Sequence, residues 1–510
     1  MSTTSANNKR IAKNTLFLYF RTFIIMLVSL YTSRIVLQQL GVEDFGIYNI
    51  IGGVVVLFSV VNGAMVLSTQ RFLNYELGRG NIDHARNIFS ASVNIHLLII
   101  FIFLLLAETI GLWFVNHCTN IPDGKQQAAN WVYHLSVVAT AVSIFRAPYN
   151  AAIIAYERMV AYAYISIVDV MCKLGIVYLL VFSQNKLVDY AGMIALVTLL
   201  VTLFYIFYCL RNFGVCHYVR ILNKGIYGSL LGFSWWSLFG SVANMGAGQG
   251  LNVVLNLYFG VSVNAAMGIA NQVNTAVYQF VSNFQTAFNP LIIKSYAAGE
   301  MDYFKTLLLN TSRYSYLLLF FLSLPILFCA PEILQLWLGQ VPKHAVSFFR
   351  LIMTFMLIDA IQGPLWVSAQ ATGKIRDYQL LMSFLILLNL PLSMSILYYY
   401  RIPELALCVK VGVNLITATA RVFYLRRLYH FPSKVYLQEV VLVCIVVSCI
   451  ASVVPAILSF MVHSFAVRLI VVGLAALLSS ASTIYWIGIK AHERSIIRQI
   501  VRKLINSIHT

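Results

Sequence analysis

Charge is scarce in this sequence. Only 10% of its 510 residues are Asp, Glu, Lys or Arg, where an average soluble domain carries roughly 25%. With 60% of the residues hydrophobic, too little polar material is left to face water, which excludes an ordinary soluble fold. Acid is scarcer still, with 17 Asp and Glu against 35 Lys and Arg. Cysteine is sparse and badly placed for chemistry. Most of the eight sit inside apolar stretches (Cys172, Cys209, Cys329, Cys408, Cys444, Cys449), and none forms a CxxC or a histidine-spaced set. That excludes a zinc module or a disulfide scaffold and leaves small buried hydrophobes. No phosphate-binding glycine loop and no nucleophile–base–acid set is legible, so neither an ATPase nor a hydrolase is implied. The longest expected outer loop, around 116–128, holds Asp123 as its only acid, which argues against a membrane glycosyltransferase or polymerase. No metal or organic cofactor is expected.

What the chain has instead is long apolar runs. Crossing a bilayer takes about 20 apolar residues, because the hydrocarbon is roughly 30 Å thick and a helix rises about 1.5 Å per residue. Runs at 15–40, 45–69, 88–115, 129–155, 160–183, 189–210, 232–259, 262–289, 306–338, 344–371, 377–400, 403–425, 436–461 and 465–489 meet that length. The expectation is an all-α polytopic membrane protein of about fourteen spans. The first run follows a polar, basic start with no small-residue cleavage site, so it is expected to stay as a helix. The net charge of +18 is not a nucleic-acid patch, because the basic residues fall in short loops without interleaved aromatics. With the N-terminus inside, expected cytoplasmic segments hold 24 Lys and Arg, outside loops hold five, and six lie within spans. The positive-inside rule predicts that bias, with both termini cytoplasmic. Removing one early span would invert every later loop, so the bias also tests the count.

The chain repeats itself. Gly41-Val42 matches Gly260-Val261 at an offset of 219, and the same offset lays Gly80–Arg86 over Gly299–Lys305. An offset of 216 lays Pro148, Ala155, Arg158 and Tyr162 over Pro364, Ala371, Lys374 and Tyr378. Six spans per repeat is an even number, so the two repeats are parallel and related about the membrane normal. The expected domains are a first lobe (1–215), a second lobe (216–430) and a final helix pair with a basic tail (431–510). Two parallel lobes meeting at the midplane favour an alternating-access transporter over a channel.

The opening Asn14-Thr-Leu-Phe-Leu-Tyr-Phe-Arg21 and Gln70-Arg-Phe-Leu flank Thr32-Ser-Arg34-Ile-Val-Leu-Gln-Gln-Leu-Gly41-Val-Glu-Asp-Phe-Gly46-Ile-Tyr48. This pattern resembles the Wzx-type O-antigen and capsule flippases of the MOP (MATE-like) exporter superfamily. The resemblance implies two six-helix lobes around a cavity in the bacterial inner membrane. The cargo it implies is an undecaprenyl-pyrophosphate-linked oligosaccharide, flipped to the outer leaflet for surface polysaccharide or lipopolysaccharide assembly, with no covalent chemistry. Membrane lipids and polysaccharide polymerase machinery are the implied partners, and nucleic acid is not. A MATE-type drug or cation antiporter and a lipid II flippase are the alternatives of the same build.

A charge inside a span costs about 2.5–3.5 kcal/mol on insertion scales and usually faces a cavity. The in-span bases are Arg21, Arg34, Arg146, Lys173, Arg350 and Lys410, against the in-span acids Asp169 and Asp359. The excess of cations suits a pyrophosphate and argues against a cationic drug. Arg21 is the first candidate phosphate contact, with a guanidinium reaching to the headgroups as its alternative. Arg146, Lys173, Arg350 and Lys410 are further candidate cargo contacts, and Arg34 is expected near the outer end. Asp169 and Lys173 stand four residues apart and can pair, as a fixed pair or as one that opens in transport. Asp359 is a candidate for a coupling proton or sodium ion, with Asp169 a second. Pro148 and Pro364 are candidate hinges, since a proline inside a helix frees a carbonyl. Asn271, Asn274, Tyr278, Ser282, Gln285 and Asn289 fall on one helix face. Asn271 and Asn274 are candidate sugar contacts, with interhelical hydrogen bonding as the alternative role.

Overall fold

The computed structural model describes residues 2–56, 59–117, 121, 124–338, 341–462, 464–491 and 493–495. Those residues are overwhelmingly helical, with no strand among them. The first helices are α1 (Ser2–Val56), α2 (Ser59–Gly78), α3 (Ile82–Leu106) and the short α4 (Leu112–His117). After them come α5 (Gln126–Ala155), α6 (Met159–Leu179), α7 (Lys186–Asn212), α8 (Lys224–Phe259) and α9 (Val261–Ala297). The chain continues through α10 (Met301–Phe328), α11 (Ala330–Leu338), α12 (Ala345–Thr372), α13 (Arg376–Leu387) and α14 (Asn389–Tyr400). It ends in α15 (Pro403–Tyr429), the single turn α16 (Ser433–Tyr436), α17 (Val443–Met461) and α18 (Phe465–Thr483).

Ten helical segments among the described residues are long and apolar enough to cross a membrane. The other four expected spans, 15–40, 45–69, 232–259 and 262–289, are helical where described but are not in that set. In α8 and α9, glycines and amides such as Asn271 and Asn274 dilute the apolar character. Charge placement agrees with the helix dipoles. Last turns carry Arg211, Lys294, Arg426 and Arg427, and first turns carry Asp83, Asp302 and Asp377.

The glycines that the sequence aligns share a conformation. Gly41 and Gly260 have φ of 78° and 77°, and Gly80 and Gly299 have φ of 72° and 78°. Only glycine enters that region without strain, so each pair marks a break at the same point of the repeat. Gly41 interrupts α1, and Gly260 separates α8 from α9.

The chain divides into two compact units. The first holds the residues up to Val242, together with Thr286–Glu300 and Gln370–Gln379. The second holds Ala243–Gln285, Met301–Ala369 and the chain from Leu380 onward. In the first unit α5 is central, packing on α2, α3 and α7, while α6 packs on α1 and α7. Half of the most apolar stretch of α5 is buried, against 17% for Phe465–Gly488 in the second unit, whose outer face is left for lipid. Large apolar side chains such as Phe101, Phe204, Leu257 and Leu478 are exposed. Such a surface is stable against hydrocarbon and not against water.

In the second unit α17 and α18 pack on each other and on α10. Prolines shape it. Pro364 lacks an N–H, so the carbonyl four residues earlier loses its helical donor; the Gln285 amide fills that gap, donating to the Ala360 carbonyl at 3.0 Å. Pro455 does the same to Ala451, whose carbonyl takes the Ser479 hydroxyl at 2.7 Å.

Candidate functional site

Three of the expected charges meet in the first unit. Arg21 of α1, Arg146 and Asn150 of α5, Tyr162, Ser166 and Asp169 of α6 and Tyr205 of α7 line a cavity of about 270 Å³. The helices place them by register. Arg146 and Asn150 stand one turn apart on α5, and Tyr162, Ser166 and Asp169 follow one face of α6.

The cations are held by aromatic rings rather than by acids. The Arg21 guanidinium lies 4.6 Å from the Tyr162 ring centre and donates to the Tyr162 hydroxyl at 3.3 Å. Arg146 lies 5.4 Å from the Tyr205 ring centre, with a long contact of 3.5 Å to the Ser143 hydroxyl. A ring face steadies a cation without neutralising it, so the positive charge stays available. Asp169 is already engaged, with Lys173 at 3.0 Å and the two side chains 17% and 35% exposed. Lys173 thus binds an acid instead of lining the cavity itself.

Arg21 Nε, Asn150 Oδ1 and Asp169 Oδ1 are buried without a hydrogen-bond partner among the described residues. Buried polar atoms are nearly always paired, so three unmet ones around a single hole mark a place built for a polar occupant. Tyr162, Tyr205 and Asn150 were not singled out for this site from the sequence. Tyr162 appeared only as a repeat match, and a membrane tyrosine is otherwise indistinguishable from core packing. Their helical spacing to the in-span charges was the available signal.

The second unit uses its polar groups differently. The Tyr278 hydroxyl donates to Asp359 at 2.9 Å, and Gln285 donates to Ser315 Oγ at 3.1 Å besides the Ala360 carbonyl. Asn274 is fully buried, and its amide donates to the Ala270 carbonyl at 2.7 Å and the Phe349 carbonyl at 3.4 Å. The amide thereby ties α9 to α12, the alternative role expected of this stripe. Asn271 is half-buried on the same helix. Lys410 lies 4.5 Å from the centre of the Phe355 ring. One turn further along α15, Asn414 bonds Gln362 at 2.9 Å and the Phe355 carbonyl at 3.1 Å. Arg350 is exposed and donates to the Leu327 carbonyl at 3.2 Å, apart from the groups around Asp359. Pro148 and Pro364 lie inside α5 and α12. The side chain of Arg34 lies outside the described residues.

The Asp359–Tyr278 bond can be tested by substitution at either end. Tyr278→Phe removes the donor to a half-buried carboxylate and is expected to lower thermal stability by about 1.5–3 kcal/mol. Asp359→Asn keeps an acceptor for Tyr278 and is expected to cost under about 1 kcal/mol, within the range of an ordinary hydrogen bond. Melting curves of the purified variants in detergent check both. A larger loss for Asp359→Asn than for Tyr278→Phe would show that the carboxylate charge itself holds the helices.

The fold is that of MATE transporters. One solved structure, an outward-facing conformation of a multidrug resistance MATE family transporter of the MOP superfamily, superposes with a TM-score of 0.72 at 14% identity, covering 82% of this chain and 95% of that one. A crystal structure of MATE in complex with MaD3S superposes with a TM-score of 0.71 at 14% identity, over 84% and 97%. A third is a MOP superfamily transporter from Pyrococcus furiosus, whose reverse polarity of binding pocket suggests a different function. It gives 0.68 at 12% identity, over 84% and 96%. No family model matches the sequence, and no curated protein does.

Proposed function

We propose that the chain is an inner-membrane transporter that flips an anionic, polyprenyl-diphosphate-linked oligosaccharide from the cytoplasmic to the outer leaflet. What supports this is the charge of the first unit's cavity. Arg21 and Arg146 face it, and the one acid there is spent on Lys173. A desolvated diphosphate needs charge-assisted donors, and a cavity with this balance repels a cationic drug. At about 270 Å³ the hole is smaller than the roughly 300–1,000 Å³ of pockets that enclose drug-sized ligands. It therefore receives one charged group, and the sugars lie outside it. An inside-negative potential favours the outward step by roughly 2.3 kcal/mol per net negative charge per 100 mV. A proton or sodium ion at Asp359 is the second candidate drive.

A multidrug or cation antiporter is the second reading, favoured by the MATE likeness of the fold. A MOP transporter with a pocket of reversed polarity is also among the similar structures, so this fold does not fix the sign of its cargo.

The test is reconstitution into vesicles with lipid-linked oligosaccharide on one leaflet, reading sugar accessibility to an added lectin. The flippase reading expects accessibility to change with the protein present. Lipid II in a parallel vesicle set reports on the related cargo. Ethidium transport with unchanged sugar accessibility would establish the antiporter reading instead.

A further inference from the structure

Arg71 belongs among the expected loop charges, yet it is part of α2 and only 5% exposed. Its guanidinium donates to the Gln370 carbonyl at 3.0 Å and the Ala371 carbonyl at 2.9 Å. These carbonyls are in the last turn of α12, where they lack helical donors and carry the negative end of the dipole. The rings of Phe72, Tyr75 and Phe233 surround the guanidinium at 4.5, 4.9 and 5.7 Å. Gly373, just past the helix, has φ of 78°, and a Cβ there would lie 2.7 Å from Arg71 NH2. The missing side chain is what admits the cation.

A second contact mirrors the first. Lys294, in the last turn of α9, meets Glu157 at 2.7 Å, with the Glu157 side chain 4% exposed. Glu157 stands in the turn after α5 with φ of 58°, and the Asn14 amide donates to its carbonyl at 3.2 Å. The offset of 216 that aligns Pro148 with Pro364 also aligns Glu157 with Gly373. The offset of 219 aligns Lys294 with Tyr75, one turn from Arg71. In each half, therefore, a cation near the end of one repeat's second helix grips the C-terminal end of the other repeat's proline-bearing helix, at its last turn or just beyond it.

The backbones are close as well. A Cβ on Gly78 would lie 2.6 Å from the Lys294 carbonyl oxygen and 2.7 Å from its Cα, so only glycine permits this approach. Ala287, 1% exposed, packs with Leu18, Ile154 and Met159.

We propose that Arg71 on the α12 C-terminus and Lys294 on Glu157 form a two-armed clasp, holding the basic-loop ends of α2, α5, α9 and α12 together. Those ends part only when both arms release. The arms differ in kind. Lys294–Glu157 is an ion pair and can be exchanged in sense. Arg71 donates to carbonyls, and among the described residues it forms no ion pair to exchange.

The experiment reads conformation without cargo, so it stands apart from the flippase reading. A single cysteine replaces Ala287 in an otherwise cysteine-free full-length chain, and inverted vesicles are treated with a membrane-impermeant maleimide. Slow labelling is expected in the parent. Glu157→Gln and Arg71→Gln should each raise the rate about tenfold, the equivalent of losing one charge-assisted bond. The exchange Glu157→Lys with Lys294→Glu should return it toward the parent. Gly78→Ala, which alters no charge, should also speed labelling, and it keeps the test open if a charge variant fails to insert. Unchanged rates in the single variants, or an exchange variant as fast as Glu157→Gln, would overturn the clasp.

Discussion

Arg21→Ala is expected to reduce the initial rate of cargo flipping by about 10- to 100-fold while leaving the melting temperature nearly unchanged. The magnitude follows from losing hydrogen bonds between a cation and a phosphate, about 1.5–3 kcal/mol in a desolvated site. The near-constant stability follows from what Arg21 touches. Its contacts are one long hydrogen bond to Tyr162 and that residue's ring, and Nε bonds nothing among the described residues. A charge in hydrocarbon costs about 2.5–3.5 kcal/mol to insert. Among the described residues no acid pairs with Arg21, since Asp169 of the same cavity pairs with Lys173, so the guanidinium is stored charge rather than structural glue. Arg21→Lys keeps the charge but not the fork of donors, and an intermediate loss is expected. Arg146→Ala should resemble Arg21→Ala, and the double variant should lose less than the product of the two if both grip one diphosphate. Flipping in vesicles, with melting curves alongside, measures all of these. Full activity in Arg21→Ala would sink its role, and a collapsed melting temperature would show a structural one.

The helices were legible because hydrocarbon imposes a length and an apolarity that few sequences meet by accident. The spans in α8 and α9 that fall short of that standard are instructive. The 262–289 stretch carries the amide stripe, and those polar groups lower its hydropathy. The conformations of Gly41, Gly80, Gly260 and Gly299 were foreseeable because a repeat keeps its backbone breaks longer than its side chains.

Partners were not legible. The stripe from Asn271 to Asn289 showed a shared face, but nothing in its spacing said that Asn274, Tyr278 and Gln285 reach α12 rather than cargo. Arg71 falls between the expected spans 45–69 and 88–115, yet it is 5% exposed. A charge count gives the side of the membrane and not the depth. Arg71 is buried because two orphan carbonyls lie within its reach, and that fact belongs to tertiary structure.

Gln285→Leu tests that distinction where the expected effect on stability is largest. Leucine matches the shape but cannot donate, so the Ala360 carbonyl and the Ser315 hydroxyl both lose their donor or partner in a low-dielectric interior. Each group left unsatisfied costs about 1–3 kcal/mol, so a loss of several kcal/mol is expected in melting curves. The carbonyl is vacant only because Pro364 has no N–H. Pro364→Ala restores that N–H, which can close the α12 ladder on Ala360 itself. The double variant Gln285→Leu/Pro364→Ala should therefore recover the Ala360 share of the lost stability and leave the Ser315 share, a coupling that a double-mutant cycle reads directly. If Gln285→Leu melts like the parent, the amide does not fill the proline gap. If the double variant is stable but no longer transports, then the break at Pro364 is kept for motion, and Gln285 is what lets the fold tolerate a broken helix at that point.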